Sequence, residues 1–170
     1  MSNNEPNDTE LLQSLLNKII LYRITRNMDK VIKDRNITHA ELSGNTGRSG
    51  NWFNKIFNGL EDMRLSTFIK AYVAVLKISG NESKHNDVEI TSVFDEELFR
   101  ITSVSLDLSI IDNIDDLLSS DKDLYDFFFG LKVYVEALKG LRDVVTPNET
   151  DAYYRVLERV SHDGRNNNGF

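Results

Sequence analysis

The chain has 170 residues, is 40% hydrophobic and 28% charged, carries a formal net charge of −7 and contains no cysteine. These values describe one ordinary or two small folded soluble domains and exclude disulfides and thiolate metal sites; no apolar run approaches the ~18–20 residues needed to span a bilayer. The polar, acidic start MSNNEPNDTE is neither a signal nor a transit peptide, so a cytoplasmic protein is expected.

Residues 1–80 hold 11 Lys and Arg against 8 Asp and Glu (+3), and residues 81–170 hold 9 against 19 (−10). Such asymmetry predicts two segments with different partners. Proline is scarce and apolar residues recur at helical spacing, so the fold class expected is all-α.

Residues 1–8 are expected to be a disordered tail. From Thr9, a candidate cap, Leu12, Leu15, Leu16, Ile19, Ile20, Ile24, Met28, Val31 and Ile32 recur every three or four residues. That is one long helix or two joined near Tyr22–Thr25, ended by Asn36. Thr38 with Glu41 three residues later predicts a capping box opening a second helix. Leu42 is its inward residue and Ser43 allows close packing. Gly47 is the place for a left-handed turn. Ser49 is the expected N-cap of a third helix, with Phe53, Ile56 and Phe57 buried and Gly59 closing it. A fourth helix opens at Arg64 or Ser66, with Phe68, Ile69, Tyr72, Val73 and Leu76 expected inward. Residues 79–91 are polar and aperiodic, as in a linker. Three further helices are expected at about 92–118 (breaking near Ser109), 120–145 (capped by Ser120 or Asp121) and 147–161, the last with Thr146 as cap and Pro147 at its first position. Residues 163–170 are expected to fray.

The stretch Ile37–Lys70, ITHAELSGNTGRSGNWFNKIFNGLEDMRLSTFIK, resembles the Cro/C1 (XRE-type) helix-turn-helix repressor family. Leu42-Ser43 takes the leucine-alanine place, Gly47 the turn glycine, Ser49 the recognition-helix cap, Phe53 and Ile56 its core pair, and Asn58-Gly59 its terminal pair. Leu65, Phe68 and Ile69 match the next helix. The likeness covers about residues 24–78. Two departures stand out: Arg48 replaces a buried aliphatic, and Gly50 and Trp52 are unusual at the start of a recognition helix.

The resemblance implies a DNA-binding bundle of about five helices over residues 9–78, acting as a homodimer on a palindromic double-stranded operator. Base-contacting places fall on Gly50, Asn51 and Lys55, with Trp52 and Asn54 adjacent. Asparagine can pair with adenine and lysine with guanine. His39, Asn58 and Arg64 take phosphate-contacting places, with Arg48 and Ser49 at the turn. Plainer roles are open for several of these: solvated surface for Asn51 and Asn54, packing against the second helix or a dimer partner for Trp52, an ordinary exposed ring for His39. Some such folds bind proteins instead.

Residues 92–162 read as a smaller acidic helical domain. Asp107, Asp112, Asp115, Asp116, Asp121, Asp123 and Asp126 fall within twenty residues, interleaved with apolar positions. They suit a solvated face on a dimerisation bundle, or a surface that binds a basic protein by imitating phosphates. Asp112, Asp115 and Asp116 lack a second matching cluster, so no metal is expected, and nothing suggests a cofactor. Phe127, Phe128 and Phe129 cannot all face one core. The two-part layout is similar to that of two-domain anti-CRISPR proteins of phages and mobile elements. There the helix-turn-helix represses its own promoter and the other domain blocks a CRISPR nuclease. With His39, His85 and His162 scattered, no nucleophile elbow and no phosphate loop, the chain is not expected to be an enzyme.

Overall fold

The computed structural model describes residues 6–59, 63–79, 90–110, 114–120 and 124–166, the side chains of 79, 90, 116, 119, 120 and 162–166 excepted. Among the described residues the fold is all-α, with no strand. Its nine helices are α1 (Asp8–Asp34), α2 (His39–Asn45), α3 (Trp52–Gly59), α4 (Leu65–Ser79), α5 (Glu96–Ile110), α6 (Ile114–Ser120), α7 (Leu124–Gly130), α8 (Lys132–Lys139) and α9 (Pro147–Asn166), with one 3₁₀ turn at Ile90–Ser92. No helix among the described residues is long and apolar enough to cross a membrane.

The chain divides into two compact units, Ile20–Phe99 and a discontinuous one of Met1–Ile19 with Arg100–Phe170. The sequence division at residues 79–91 runs differently: both boundaries of the structure fall inside helices, α1 and α5. Most of the expected linker lies outside the described residues. Net charge follows the units. The discontinuous unit carries 9 Lys and Arg against 16 Asp and Glu (−7), and Ile20–Phe99 carries 11 of each.

In the Ile20–Phe99 unit, α1 is a single helix through Tyr22–Thr25. Thr25 fits because its hydroxyl donates back to the carbonyls of Leu21 (3.0 Å) and Tyr22 (2.9 Å). Asn36 ends the helix in a left-handed conformation (φ 57°), with Ile37 N–H donating to Ile32 O (2.8 Å) and Asn36 N–H to Lys33 O (3.1 Å). That pair is a Schellman motif, and its apolar partners Ile32 and Ile37 are both buried. The unit's core joins Met28, Ile32, Ile37, Leu42, Phe53, Phe68, Ala71, Ala74, Val75 and Val93. Asp95 caps α5, accepting from Leu98 N–H (2.8 Å), Asn27 Nδ2 (3.2 Å) and the Arg23 guanidinium. Burial pushes the Asp95 carboxyl up, but the Leu98 amide and Arg23 outweigh it and hold it below the usual carboxylate range.

Helix α4 takes a different phase from the one expected. Thr67, Phe68, Ala71, Ala74 and Val75 are buried, while Ile69, Val73 and Leu76 face solvent. Ten of the fifteen positions of LSTFIKAYVAVLKIS are apolar, with an unbroken run from Ala71 to Leu76, so periodicity alone could not choose the face. The small Ala71 and Ala74 decide it, because they let the helix axis approach α2 closely.

In the discontinuous unit, α1 starts two residues earlier than a Thr9 cap would allow. Asn7 is the cap: its Oδ1 accepts from Glu10 N–H (2.9 Å), and Glu10 returns the bond to Asn7 N–H (3.2 Å). Asn7 and Asp8 are thus ordered, against the expected tail. Leu12, Leu15, Leu16 and Ile19 are fully buried, which makes that stripe core and removes it as a dimer surface. Of the first expected C-terminal helix, α5 runs to Ile110 and α6 begins at Ile114, and residues 111–113 lie outside the described ones. The second is interrupted: α7 and α8 are separate, joined at Gly130 and Leu131. Its candidate cap residues Ser120 and Asp121 lie outside the described side chains. Thr146 caps α9 through a reciprocal pair with Glu149 (3.3 Å each way). The buried Glu149 carboxylate also accepts from Lys18 (2.6 Å) and Ser14 (3.4 Å). Helix α9 continues to Asn166, past the expected fraying point. Of the three phenylalanines, Phe128 is fully buried, Phe127 half-buried beneath the Arg100 guanidinium (5.6 Å) and Phe129 exposed. Tyr153 is also fully buried and donates to Phe128 O (2.6 Å); burial, then Tyr154 and Glu136, push its phenol far up.

Candidate nucleic-acid interface

The site is built from α2, the turn after it and α3. Helix α2 forms because Thr38 supplies the expected capping box: its hydroxyl accepts from Glu41 N–H (3.1 Å) and Glu41 accepts from Thr38 N–H (2.8 Å). Gly47 turns the chain with φ +72°, in open space. Ser43 then fixes α3 from beneath, its buried hydroxyl accepting Phe53 N–H at 3.0 Å. That bond gives the small residue a role beyond size.

Helix α3 begins later than expected. Ser49 does hold its start, through its carbonyl, which accepts Trp52 N–H (3.0 Å). Gly50 and Asn51 therefore lie in the turn, consistent with the poor helical propensity of glycine. Asn51 is nonetheless in register, since its carbonyl accepts Lys55 N–H (3.1 Å). On the far side, Phe53 and Ile56 are buried. Asn51, Lys55 and Asn58 are exposed, at spacings of four and three, so they form one polar stripe. Asn54 is half-buried beside it, and its Oδ1 accepts from Asn58 Nδ2 (3.0 Å). Trp52 packs half-buried against the unit's core, and its ring does not join the stripe.

Arg48 and Arg64 are exposed. Arg48 donates to the buried Thr67 hydroxyl (3.3 Å), which ties the turn to α4. Among the described residues no carboxylate pairs with Arg48, Lys55 or Arg64.

His39 is placed differently from a phosphate contact. Its Nε2 lies 2.6 Å from Asp29 Oδ1, and its ring sits edge-on to Phe53 (4.8 Å) and tilted to Phe57 (5.2 Å). Asp29 also accepts from Lys33 (2.7 Å). Burial raises the Asp29 carboxyl, but hydrogen bonds from Lys33 and His39 bring it below its ordinary value. Beside this, the Arg26 guanidinium stacks over the Phe57 ring (3.6 Å) and the Tyr22 ring (4.7 Å), with its Nη2 3.4 Å from Phe57 O. Asp29 and Arg26 thus clamp both ends of α3 through aromatic neighbours. Sequence reading missed them, because the partners lie 10 and 31 residues away and no local spacing marks the pairs.

Of the seven acidic candidates, Asp107 and Asp126 are exposed and Asp115 pairs with Arg159 (2.6 Å). Asp112, Asp121 and Asp123 and the Asp116 side chain lie outside the described residues. Among the described residues no group of three His, Asp or Glu could hold a metal ion. No family model matches the chain, and no curated protein and no solved structure matches it.

Proposed function

We propose that the Ile20–Phe99 unit reads double-stranded DNA through α3 and that the protein is a sequence-specific, autoregulatory repressor of a phage or mobile element, acting as a homodimer on a palindromic operator. The observation that carries the reading is the Asn51–Lys55–Asn58 stripe. It is an exposed polar row that starts in the turn and runs along a helix whose opposite side is fixed by Phe53, Ile56 and the Ser43 bond, with Asn51 and Lys55 at base-reading places and Asn58 at a phosphate-contacting one. Asparagine offers paired donor and acceptor groups to adenine, and lysine reaches guanine acceptors. Arg48 and Arg64 supply phosphate contacts near either end, which position the helix without reading sequence. Unit neutrality is no obstacle, because these cations are local.

The test is fluorescence anisotropy on DNA from the protein's own promoter against scrambled DNA. Asn51→Ala and Lys55→Ala should each cost about 1–3 kcal/mol on the promoter and little on scrambled DNA. Wild-type affinity should fall as salt rises. Equal binding of both DNAs by the wild type and both variants would remove the reading.

A second reading rests on charge. The discontinuous unit carries the whole −7, so it suits a basic partner, such as a CRISPR nuclease whose DNA channel it would occupy. Salt-sensitive capture of such a nuclease by the full chain, lost on neutralising Asp107 and Asp126, would favour it.

A further inference from the structure

Helix α1 carries a row of cations outside the α3 stripe and its flanking arginines. Arg26, Lys30 and Lys33 stand at spacings of four and three, so they share one face of a continuous helix. Two of them meet the C-terminal end of α3. The Arg26 guanidinium lies over the Phe57 ring (3.6 Å) with Nη2 3.4 Å from Phe57 O, and Lys33 Nζ lies 5.9 Å from the same ring. Lys30, between them in the row, is exposed. From this row we propose that α1 binds the DNA phosphate backbone beside the end of α3, with Arg26 as the principal contact. The inference rests on the reading that α3 meets DNA, and it adds a contact that carries no sequence information.

The charge of Arg26 is held in place but not neutralised. Asp29, the carboxylate one turn along, is taken by Lys33 (2.7 Å) and His39 (2.6 Å). Among the described residues no carboxylate pairs with Arg26 or Lys30. The Arg26 Nε is buried without an acceptor, and of the guanidinium N–H groups only one on Nη2 meets an acceptor, among the described residues. A half-buried cation short of partners costs stability in the free protein, and a bound anion offsets that cost. The guanidinium is also preorganised. Stacked on Phe57 and on Tyr22 (4.7 Å), its planar fork loses little freedom when it meets phosphate oxygens. Its place suits a backbone contact: the Phe57 carbonyl it touches is joined to the amide of Asn58, which is exposed and at a phosphate-contacting place. Residues 26–34 hold three cations against Asp29 and Asp34, so the local excess is positive.

The test is a salt series of DNA-binding measurements on the full chain, with promoter and scrambled DNA. Arg26→Gln keeps a donor for Phe57 O and removes the charge. It should weaken binding to both DNAs equally, about tenfold, and lower the slope of log K against log salt by about 0.9. Arg26→Lys should restore the slope. A residue that only capped the end of α3 would leave the slope where it was, so an unchanged slope in Arg26→Gln overturns the inference. Should Arg26→Gln lose its helical circular dichroism, Lys30→Gln decides in its place. Lys30 is exposed and outside the core, and the same fall in slope is expected of it and the same unchanged slope overturns the inference. The two readings fail separately. Promoter preference that is lost in Asn51→Ala and Lys55→Ala, with the slope of Arg26→Gln unchanged, sinks this inference alone. A lowered slope with no promoter preference in the wild type sinks sequence-specific reading and leaves the α1 contact standing.

Discussion

Asp29 shows how much of the candidate interface depends on a residue that touches no ligand. Its carboxylate holds Lys33 and the ring of His39, and that ring buttresses Phe53 and Phe57. Asp29→Asn replaces a half-hidden charge pair with a weaker amide contact and should cost about 1–3 kcal/mol in urea unfolding. The pH dependence has a definite sign. The folded carboxyls of Asp29 and Asp95 lie below the ordinary 3.8, so their stabilisation is complete above that value and is lost as pH falls through the lower folded values. The wild type should therefore lose stability between about pH 5 and pH 2 more steeply than Asp29→Asn. A parallel fall in the two would show that the carboxylate is not held by its partners. At this scale the sequence was partly legible. Thr38, Glu41 and Gly47 announced themselves through local cap and turn patterns, and Phe53 and Ile56 through their three-residue helical spacing. Asp29 and Arg26 did not, because a clamp between helices leaves no local pattern.

Among the elements, the turn from α2 to α3 bears most directly on reading. Gly47 sits at φ +72° with no atom within 4 Å of an added Cβ. Gly47→Ala therefore meets no clash and should cost only the left-handed backbone preference, about 1–2 kcal/mol, seen as a lower thermal midpoint. Gly47→Asn should recover part of it; an alanine variant as stable as the wild type would mean the turn relaxes to negative φ. Thr38→Ala should cost about 1 kcal/mol through the lost cap. Element identities were readable wherever a cap or glycine punctuated the chain. Phases were not readable where apolar residues crowd a helix: in α4, Ile69, Val73 and Leu76 were expected inward, whereas Ala71, Ala74 and Val75 take the buried face. The break between α7 and α8 was likewise unmarked, since Gly130 alone is tolerated inside helices.

For the molecule as a whole, the division of the chain matters more than its count of helices. Composition alone points to a cut at the polar stretch around residue 90, yet it would strand Leu12, Leu15, Leu16 and Ile19, all fully buried and in one unit with Arg100–Phe170. It would also remove Lys18 from the buried Glu149. Four such side chains are worth about 1.5–3 kcal/mol each, as much as the whole stability of an ordinary domain. The fragment 91–170 should thus lack a cooperative thermal transition, and adding a 6–19 peptide should restore one. A cooperative transition in the bare fragment would contradict the division. The same nesting sets an order of events during synthesis. The Ile20–Phe99 stretch is complete while its own leading segment still waits for residues not yet made. At about 5–20 residues per second, Leu12 to Ile19 leave the ribosome several seconds before Val156. For that interval the nascent chain carries an apolar helix with no companion. It should depend on a holding chaperone in a way that the finished protein does not.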